Sequence, residues 1–254
     1  MKLVRYQTKN QPPRYGWVYD QKIGPIEGSI TGEYRRMEAD TPLEQAVLLP
    51  PVQPSKIICI GRNYIEHARE QGVQPPEIPM IFLKPPSSLI GHEASIELPS
   101  QSNQVEQEAE LAVVIGRRGK NIPSENAMRY ILGYTIANDV TARDLQRKDG
   151  TWTRGKGFDT FCPLGPWVET DLDPVDVQIT CRINQEIRQL TSTRQMIFSI
   201  PQIIAFISSV MTLEPEDVIL TGTPAGVGPL SAGDVVEISI EGIGLLRNPV
   251  ILAR

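Results

Sequence analysis

The sequence has few of the residues that usually mark a disulfide framework or a zinc site. It contains 254 residues but only three cysteines and two histidines. Cys59, Cys162 and Cys181 lie far apart, and none forms a close pair with metal-ligand spacing. An odd number of dispersed cysteines is typical of a reduced intracellular protein, so we expect a cytoplasmic location.

Long apolar runs and clusters of positive charge are also missing. No stretch approaches the roughly 18 consecutive apolar residues of a membrane-spanning helix, and the N-terminal stretch has no apolar h-region of a signal peptide. The formal net charge is −5 and no basic stripe is present, which argues against nucleic-acid binding. We therefore expect neither a membrane nor a nucleic acid as a partner.

What the chain does contain is enough apolar sequence for one large domain, with or without a small appendage. Aromatic residues make up only 6%, so aliphatic side chains supply most of the core. A chain of this length can bury such a core without disulfide bonds or a structural metal ion. The proline-rich stretch Pro50–Pro54 divides a predicted small N-terminal subdomain, residues 1–54, from residues 55–254. In residues 1–54 we expect short strands and a possible helix at TPLEQAVLL.

Residues 55–254 are rich in strand patterns. The segments that fit strands are KIICIG, MIFLK, SIEL, AELAVVIG, GYTIANDV, PWVET, VQITCRIN, DVILTG, DVVEISIEG and LLRNPVIL. Many strands with few helices indicate a mixed α/β, mainly β fold of the sandwich or rolled-sheet type. One helix is well marked after Ser199, because Ser199 and Gln202 fit a capping box and Ile203, Ile204 and Ile207 share one face. A weaker helix is predicted at SENAMRYIL.

The segment VEQEAELAVVIG places glutamates at every second position directly before an apolar strand. Side chains alternate faces along a strand, so Glu108 and Glu110 point the same way, with backbones about 6.5–7 Å apart. Asp139 ends the apolar strand GYTIAND and could complete a three-carboxylate site for Mg²⁺ or Mn²⁺. The alternative, which the pattern alone favours, is a solvent-exposed edge with an ordinary turn aspartate at Asp139.

Three further segments carry candidate chemistry. His67 and Glu70 share a face of a predicted short helix, which suits a general base acting on water, although an exposed ion pair is the simpler interpretation. Lys156 lies between glycines and could stabilise an enolate or oxyanion, or belong to a plain flexible loop. In TGTPAGVG, the Thr221 and Thr223 hydroxyls could hold a substrate carboxylate, or the segment could be only a turn.

Taken together and in order, several segments resemble the fumarylacetoacetate hydrolase superfamily over roughly residues 55 to 254. They are IGRNYIEHARE, FLKP, EAELAVVIGR, GYTIANDVTARDLQ, GKGFDTFCPLGPWV, TSTRQMIFSIPQIIAFIS and DVILTGTPAGVGPL. An ordered series of about seven motifs is far harder to meet by chance than any one of them. The resemblance implies a rolled β-sandwich with a small N-terminal α/β subdomain, and a homodimer.

The resemblance also implies roles for individual residues. Its E-x-E motif with a strand-end Asp implies Glu108, Glu110 and Asp139 as ligands of Mg²⁺ or Mn²⁺, with Glu106 outside the set. His67 and Glu70 match the pair that activates water in the acylpyruvase-like branch, on a segment that behaves as a lid. The other implied residues are Lys156 and Gln146 as catalytic groups, Arg62, Asn63, Arg143 and Thr223 as substrate contacts, and Lys84 as a weaker candidate with a structural role as the alternative.

The activity implied is hydrolysis of a C–C bond in a 2,4-dioxo acid such as an acylpyruvate, through a metal-stabilised enolate. His67, oriented by Glu70, would deprotonate the attacking water. Oxaloacetate decarboxylation or tautomerisation, and isomerisation of 2-hydroxyhepta-2,4-diene-1,7-dioate or 5-carboxymethyl-2-hydroxymuconate, use the same electron sink and stay open. The His67–Glu70 pair favours hydrolysis. A non-enzymatic, metal-dependent binding subunit is the alternative from a different class.

Overall fold

Strands dominate the computed structural model, which describes residues 1–9 and 11–253. The strands are β1 Lys2–Gln7, β2 Arg14–Tyr19, β3 Lys22–Gly28, β4 Tyr34–Arg36, β5 Thr41–Pro42, β6 Val47–Leu49, β7 Ile57–Gly61, β8 Met80–Lys84, β9 Leu89–Ile90, β10 Ile96–Leu98, β11 Val105–Gln107, β12 Ala109–Ile115, β13 Ile131–Asn138, β14 Thr141–Ala142, β15 Cys162–Glu169, β16 Gln178–Ile183, β17 Glu186–Ser192, β18 Val218–Leu220, β19 Gly228–Pro229, β20 Val235–Ile240 and β21 Gly244–Leu252. The α-helices are α1 Ile65–Glu70, α2 Arg143–Asp149, α3 Thr153–Lys156 and α4 Ile200–Val210. Short 3₁₀ helices span Leu43–Gln45, Pro86–Ser88, Ser124–Tyr130 and Thr193–Gln195.

Three sheets organise these strands in the described part of the chain. The largest has 13 strands, with the main order β4-β3-β2-β1-β15-β13-β12-β18-β7-β8. A second sheet has the order β10-β21-β20-β16-β17, and a third has the order β14-β11-β19. The predicted mixed α/β, mainly β fold is therefore confirmed.

Strand β12 lies inside the large sheet and is buried on both faces. Leu111, Val113 and Ile115 join the main core, which also holds apolar side chains of β16, β20, β21 and α4. Ala112 and Val114 point the other way, into a second core. Because both faces are covered, β12 reads as a nearly continuous apolar run, and its Glu110 is buried with the rest of the strand.

The N-terminal segment is built from β1–β6 and is continuous with the large sheet. Strand β1 pairs with β15, in the register Lys2↔Glu169. The helix predicted at TPLEQAVLL is wrong: the segment forms β5, the 3₁₀ turn Leu43–Gln45 and β6. Pairing of β6 with β1, in the register Arg5↔Leu49, prevails over the local helical pattern. The domain boundary at residue 54 stays a prediction.

The helices are few and short. The helix predicted after Ser199 is confirmed as α4, and the Gln202 side-chain oxygen accepts a hydrogen bond from the Ser199 N–H at 2.8 Å. The segment SENAMRYIL forms a 3₁₀ helix over Ser124–Tyr130 and then enters β13. Among the described residues, no helix has the length and apolar character needed to cross a membrane.

The strand directions bring four chain segments to one edge of the large sheet. Strand β12 runs antiparallel to both β13 and β18, so its first residues lie beside the last residues of those two strands. Strand β7 runs parallel to β18 and ends at the same edge. The loops that follow β7, β13 and β18 therefore meet the beginning of β12.

Candidate metal centre and active site

Three carboxylates meet at this edge. Glu108 precedes β12, Glu110 is its second residue, and Asp139 follows β13 directly. One oxygen of each lies within 4.8 Å of the others, and Glu108 and Glu110 are only 4% and 2% exposed. The cluster predicted from strand alternation is therefore present. The alternative of a water-facing edge strand is wrong, because β12 is paired with β13 on one side and with β18 on the other.

Two buried lysines reach into the cluster. Lys156 Nζ donates to Glu108 Oε2 at 2.7 Å and to Asp139 Oδ2 at 2.6 Å. Lys84 Nζ donates to Asp139 Oδ1 at 2.7 Å and to the Val140 carbonyl at 3.2 Å. Burial alone would lower the pKa of Lys156, but Asp139 and Glu108 outweigh burial and raise it. Lys84, the weaker candidate of the sequence, is thus bonded directly to a predicted metal ligand.

Arg143 ties the cluster to helix α2. Its Nη2 donates to Glu108, its Nε to Glu106 Oε2 at 2.7 Å, and its Nη1 to Gln146 Oε1 at 2.6 Å. Burial opposes ionisation of Glu108, but the cations of Lys156 and Arg143 prevail and lower its pKa. Glu106 is therefore an ion-pair partner of Arg143 and lies outside the carboxylate cluster, as the resemblance implied.

Among the described residues, Glu110 is the carboxylate of the cluster that forms no ion pair with a lysine or arginine. Its hydrogen bond is from the Gly222 N–H to Oε2 at 2.6 Å. Burial raises the pKa of Glu110, and the charges of Asp139 and Glu108 raise it further. Gly222 has a φ of +101°, and a Cβ there would lie 2.7 Å from Asn63 Cβ, so a glycine is needed to bring this N–H to the carboxylate.

The donor set fits a divalent metal ion. Among the described residues, this site holds four buried acids and three buried bases, so one buried carboxylate has no buried base as its partner. The acids are Glu106, Glu108, Glu110 and Asp139, and the bases are Lys84, Arg143 and Lys156. Carboxylate oxygens are the ligands that Mg²⁺ and Mn²⁺ prefer. The ammonium of Lys156 between Glu108 and Asp139 shows that this position favours a cation.

A histidine held at both ring nitrogens lies beside the carboxylates. His67 Nδ1 lies 3.1 Å from Glu70 Oε2, and the other Glu70 oxygen accepts the Gly226 N–H at 3.0 Å. Arg62 Nε donates to Gln71 Oε1 at 3.2 Å, so the Gln71 amide nitrogen donates to His67 Nε2 at 2.9 Å. An ionised carboxylate only accepts, which places the proton on Nδ1 and the lone pair on Nε2. His67 is only 3% exposed, so the interpretation of His67 and Glu70 as an exposed ion pair is wrong.

These groups line two neighbouring spaces that share several lining residues, which we call the inner chamber and the outer cleft. The inner chamber has a volume of about 10 Å³, roughly the space of one water molecule. The outer cleft has a volume of about 340 Å³. Of the predicted site residues, the chamber is lined by Arg62, His67, Glu108, Glu110, Asp139, Arg143, Gln146, Lys156 and Thr223, and the cleft adds Glu70.

Two predicted substrate contacts have their side chains occupied. The Asn63 carboxamide bonds to three backbone groups, including the Thr221 carbonyl at 2.8 Å. Asn63 therefore supports the end of β7, and its predicted substrate contact is corrected to a structural role. Thr223 lines the chamber, but its hydroxyl donates to the Ala109 carbonyl at 2.9 Å and accepts from Gln189 at 2.8 Å.

Several residues of the site were not predicted. Gln71 lies four residues after His67, a spacing that places both on one helical face. Trp152 lines both spaces and packs edge-on against Phe82, with ring centroids 4.9 Å apart. A Cβ at Gly61 would lie 2.9 Å from the Trp152 ring, so the close approach depends on that glycine. No sequence pattern distinguished Trp152 from an ordinary loop aromatic.

The fold and the buried carboxylates define a class of protein, and comparison with known proteins identifies it. The chain belongs to the fumarylacetoacetate hydrolase family, because the family described as "Fumarylacetoacetate (FAA) hydrolase C-terminal" matches residues 56–251. A second family, described as "Rv2993c-like, N-terminal", matches residues 1–51. The resemblance and the fold inferred from the sequence motifs are therefore confirmed, and the chain belongs to a superfamily of enzymes.

The names of individual relatives refer to different activities. The chain is 48% identical to oxaloacetate tautomerase fahd2, mitochondrial, of Xenopus laevis, over 99% of this chain and 90% of that protein. It is 44% identical to the 5-carboxymethyl-2-hydroxymuconate delta-isomerase structure from Mycobacterium smegmatis, with a TM-score of 0.93 and full coverage of both chains. The structure of maleylpyruvate hydrolase from Sphingobium sp. SYK-6, in complex with manganese (II) ion and pyruvate, is 30% identical, with a TM-score of 0.83 and full coverage of both.

Addition of Mn²⁺ or Mg²⁺ to the metal-free protein is expected to raise its Tm. An ion at about 100 times its Kd stabilises the folded state by about 2.7 kcal/mol, which corresponds to roughly 5–10 °C for a domain of this size. Differential scanning fluorimetry with and without metal measures the shift. Glu110→Gln should lose most of it, whereas Glu186→Gln, at an exposed carboxylate on β17, should retain it. An equal shift in both variants would place the ion elsewhere.

Proposed function

We propose that this protein is a divalent-metal-dependent enzyme that interconverts the keto and enol forms of a 2-oxo acid. The observation that carries the proposal is that His67, held by Glu70, lines the same small chamber as the three carboxylates. A base and an electron sink can therefore act on one bound substrate. The tautomerase and isomerase names of two relatives support the same class of reaction.

The chamber supplies what stabilisation of an enolate needs. Glu108, Glu110 and Asp139 would hold Mg²⁺ or Mn²⁺, which would supply Lewis acidity toward the oxygens of a bound 2-oxo acid. Lys156 has three N–H donors and gives two to carboxylates, so one is left for a substrate oxygen. The side-chain oxygen of Gln146 accepts a hydrogen bond from Arg143. The amide N–H groups of Gln146 can therefore donate in the chamber.

His67 moves the proton. Its Nε2 would take a proton from carbon 3 of the keto acid. The electrons of that C–H bond then form the C2–C3 double bond, the C2=O π pair moves onto the oxygen, and His67 returns the proton to that oxygen. Glu70 accepts the Nδ1–H and stabilises the imidazolium that forms between the two transfers. Gln71 must first release Nε2, since its amide occupies that lone pair in the structure.

The proposal is tested with freshly dissolved enol-oxaloacetate, whose ultraviolet absorbance falls as the keto form appears. We expect the protein to accelerate this decay with Mg²⁺ or Mn²⁺, and a chelator to abolish the acceleration. Pyruvate is measured in parallel, because decarboxylation of oxaloacetate would release it. If no oxo acid in a panel that includes acetylpyruvate is converted in a metal-dependent way, the protein is better explained as a binding subunit.

Hydrolysis of an acylpyruvate C–C bond is the second candidate. It is supported by one relative that is named a maleylpyruvate hydrolase. In this reaction His67 would take a proton from water instead of carbon 3, and Lys156 and Gln146 would donate to the developing oxyanion. Release of pyruvate from acetylpyruvate distinguishes it from tautomerisation. The homodimer and the cytoplasmic location stay predictions.

A further inference from the structure

The Gln71 side chain lies in the wall between the inner chamber and the outer cleft. Five residues line both spaces, namely Arg62, Gln71, Arg143, Gln146 and Trp152. The chamber volume of about 10 Å³ holds roughly one water molecule. A 2-oxo acid is several times larger, so at least one side chain of this wall must move before the acid can reach the carboxylates.

Two hydrogen bonds hold the Gln71 amide, and in the described part of the chain both go to residues of the site. Arg62 Nε donates to its oxygen at 3.2 Å, and its nitrogen lies 2.9 Å from His67 Nε2. Because a guanidinium only donates, the oxygen faces Arg62 and the nitrogen donates to His67. Arg143, in comparison, is bonded to Gln146 and to two buried carboxylates. Gln71 is therefore held less firmly than these two residues of the same wall.

Movement of Gln71, and not of His67, frees Nε2. His67 Nδ1 lies 3.1 Å from Glu70, whose second oxygen accepts the Gly226 N–H at 3.0 Å, so the imidazole is anchored on its far side. The Gln71 backbone is fixed separately from its side chain. Its N–H donates to the His67 carbonyl at 3.1 Å, and Gly72 follows the end of α1 with a φ of +69°. The Gln71 side chain can therefore turn outward while α1 stays folded.

We propose that Gln71 is a positioning residue that caps Nε2 of His67 until a ligand displaces it, and so couples release of the base to substrate binding. One side-chain movement opens the wall of the chamber and frees the lone pair. The base therefore becomes available only when a ligand enters. The role of His67 as the base rests on the proposed function, whereas the hydrogen bond from Gln71 to Nε2 does not.

The first test observes the capped nitrogen directly by NMR of Mg²⁺-loaded protein made with ¹⁵N-labelled histidine. The chain has only two histidines, so His92→Asn assigns the signals. Gln71→Met removes the amide and should move the His67 Nε2 signal downfield, toward an unbonded ring nitrogen, with the His92 signals unchanged. Saturating pyruvate should move the Nε2 signal of the wild type in the same direction, and much less in Gln71→Met. The shift in the wild type tests release of the cap without any substitution.

The second test measures the effect of the cap on binding and rate. If a ligand must break the bond between Gln71 and His67, Gln71→Met should lower the Kd of pyruvate, measured by titration calorimetry, by about 2- to 10-fold, the usual net effect of one hydrogen bond. The kcat/KM for enol-oxaloacetate should rise by a similar factor. Gln71→Glu should act in the opposite direction. Its carboxylate would accept a proton from Nε2, as Glu70 does from Nδ1, and the rate should fall by at least about 10²-fold.

Gln74→Met and Gln74→Glu are the matched controls, because Gln74 is exposed and lines neither space. Both should leave the signals, the pyruvate Kd and the rate unchanged. The cap would be overturned by an identical Nε2 signal in wild type and Gln71→Met, by no shift of the wild-type signal with pyruvate, or by weaker pyruvate binding or a lower kcat/KM in Gln71→Met.

The same measurements separate the cap from the proposed function. The two signal shifts and tighter pyruvate binding by Gln71→Met, without turnover of any 2-oxo acid, would keep the cap and reject the proposed function. Metal-dependent turnover by a wild type whose Nε2 signal equals that of Gln71→Met would do the reverse.

Discussion

Glu110→Gln is expected to reduce kcat by about 10³-fold, because Lewis acidity contributes several kcal/mol to such reactions. The fold should survive the change. The partner described for Glu110 is the neutral Gly222 N–H, which a glutamine side-chain oxygen can accept equally well. We expect the free energy of unfolding to change by less than about 1 kcal/mol, measured by urea denaturation of the metal-free protein alongside steady-state kinetics.

Asp139→Asn provides the contrast. Asp139 bonds to both buried lysines, so its neutralisation leaves Lys84 and Lys156 without part of their counter-charge. We expect a similar loss of activity, together with about 3–5 kcal/mol of lost stability. Two results would contradict this assignment. If Glu110→Gln retained activity, Glu110 would not be a metal ligand, and if it unfolded as readily as Asp139→Asn, Glu110 would have a lysine or arginine partner after all.

His67→Asn is expected to reduce tautomerisation by about 10²- to 10⁴-fold, the usual contribution of a general acid–base group. Acylpyruvate hydrolysis, if present, should fall by a similar factor, because both reactions need a proton to be removed. Decarboxylation of oxaloacetate needs only chelation and enolate stabilisation, so it should fall much less. Rates of enol decay and pyruvate release, measured on the same preparations with saturating Mn²⁺, separate the three reactions.

The second histidine of the chain is the natural control. His92 lies away from the chamber, where its Nδ1 accepts the Arg247 N–H at 3.1 Å. His92→Asn should therefore leave all three rates unchanged. Glu70→Gln should lower tautomerisation less than His67→Asn, since it removes the partner of the base but keeps the base. Full tautomerase activity in His67→Asn would mean that another group removes the proton.

The carboxylate cluster was accessible from the sequence because it follows from local rules. Alternation along the extended segment that leads into β12 places Glu108 and Glu110 on one side, and Asp139 was recognised as the end of an apolar strand. The pairing of β12 with β13, which brings Asp139 to the glutamates, is a contact between residues about 30 positions apart that no local pattern specifies. The ordered motifs made it predictable, whereas the strand pattern alone favoured a water-facing edge.

The parts that sequence could not supply are long-range contacts of polar groups. Lys84 meets Asp139 across 55 positions, and Asn63 meets Phe198 across 135. Glycine and loop patterns suggested roles in binding, but the partners decide whether a side chain faces the ligand or supports the backbone. The helix prediction at TPLEQAVLL was wrong for the same reason, because pairing with the distant strand β1 makes its last residues a strand, β6.

The two lysines inside the ligand cluster also separate folding from metal loading. Lys84 and Lys156 act as internal counter-ions, so the chain can complete its core before any metal ion arrives. A metal ion would then enter last and exchange with the surrounding medium after folding is finished. Preparations should accordingly be interconvertible between Mg²⁺ and Mn²⁺ by dialysis, with no refolding step.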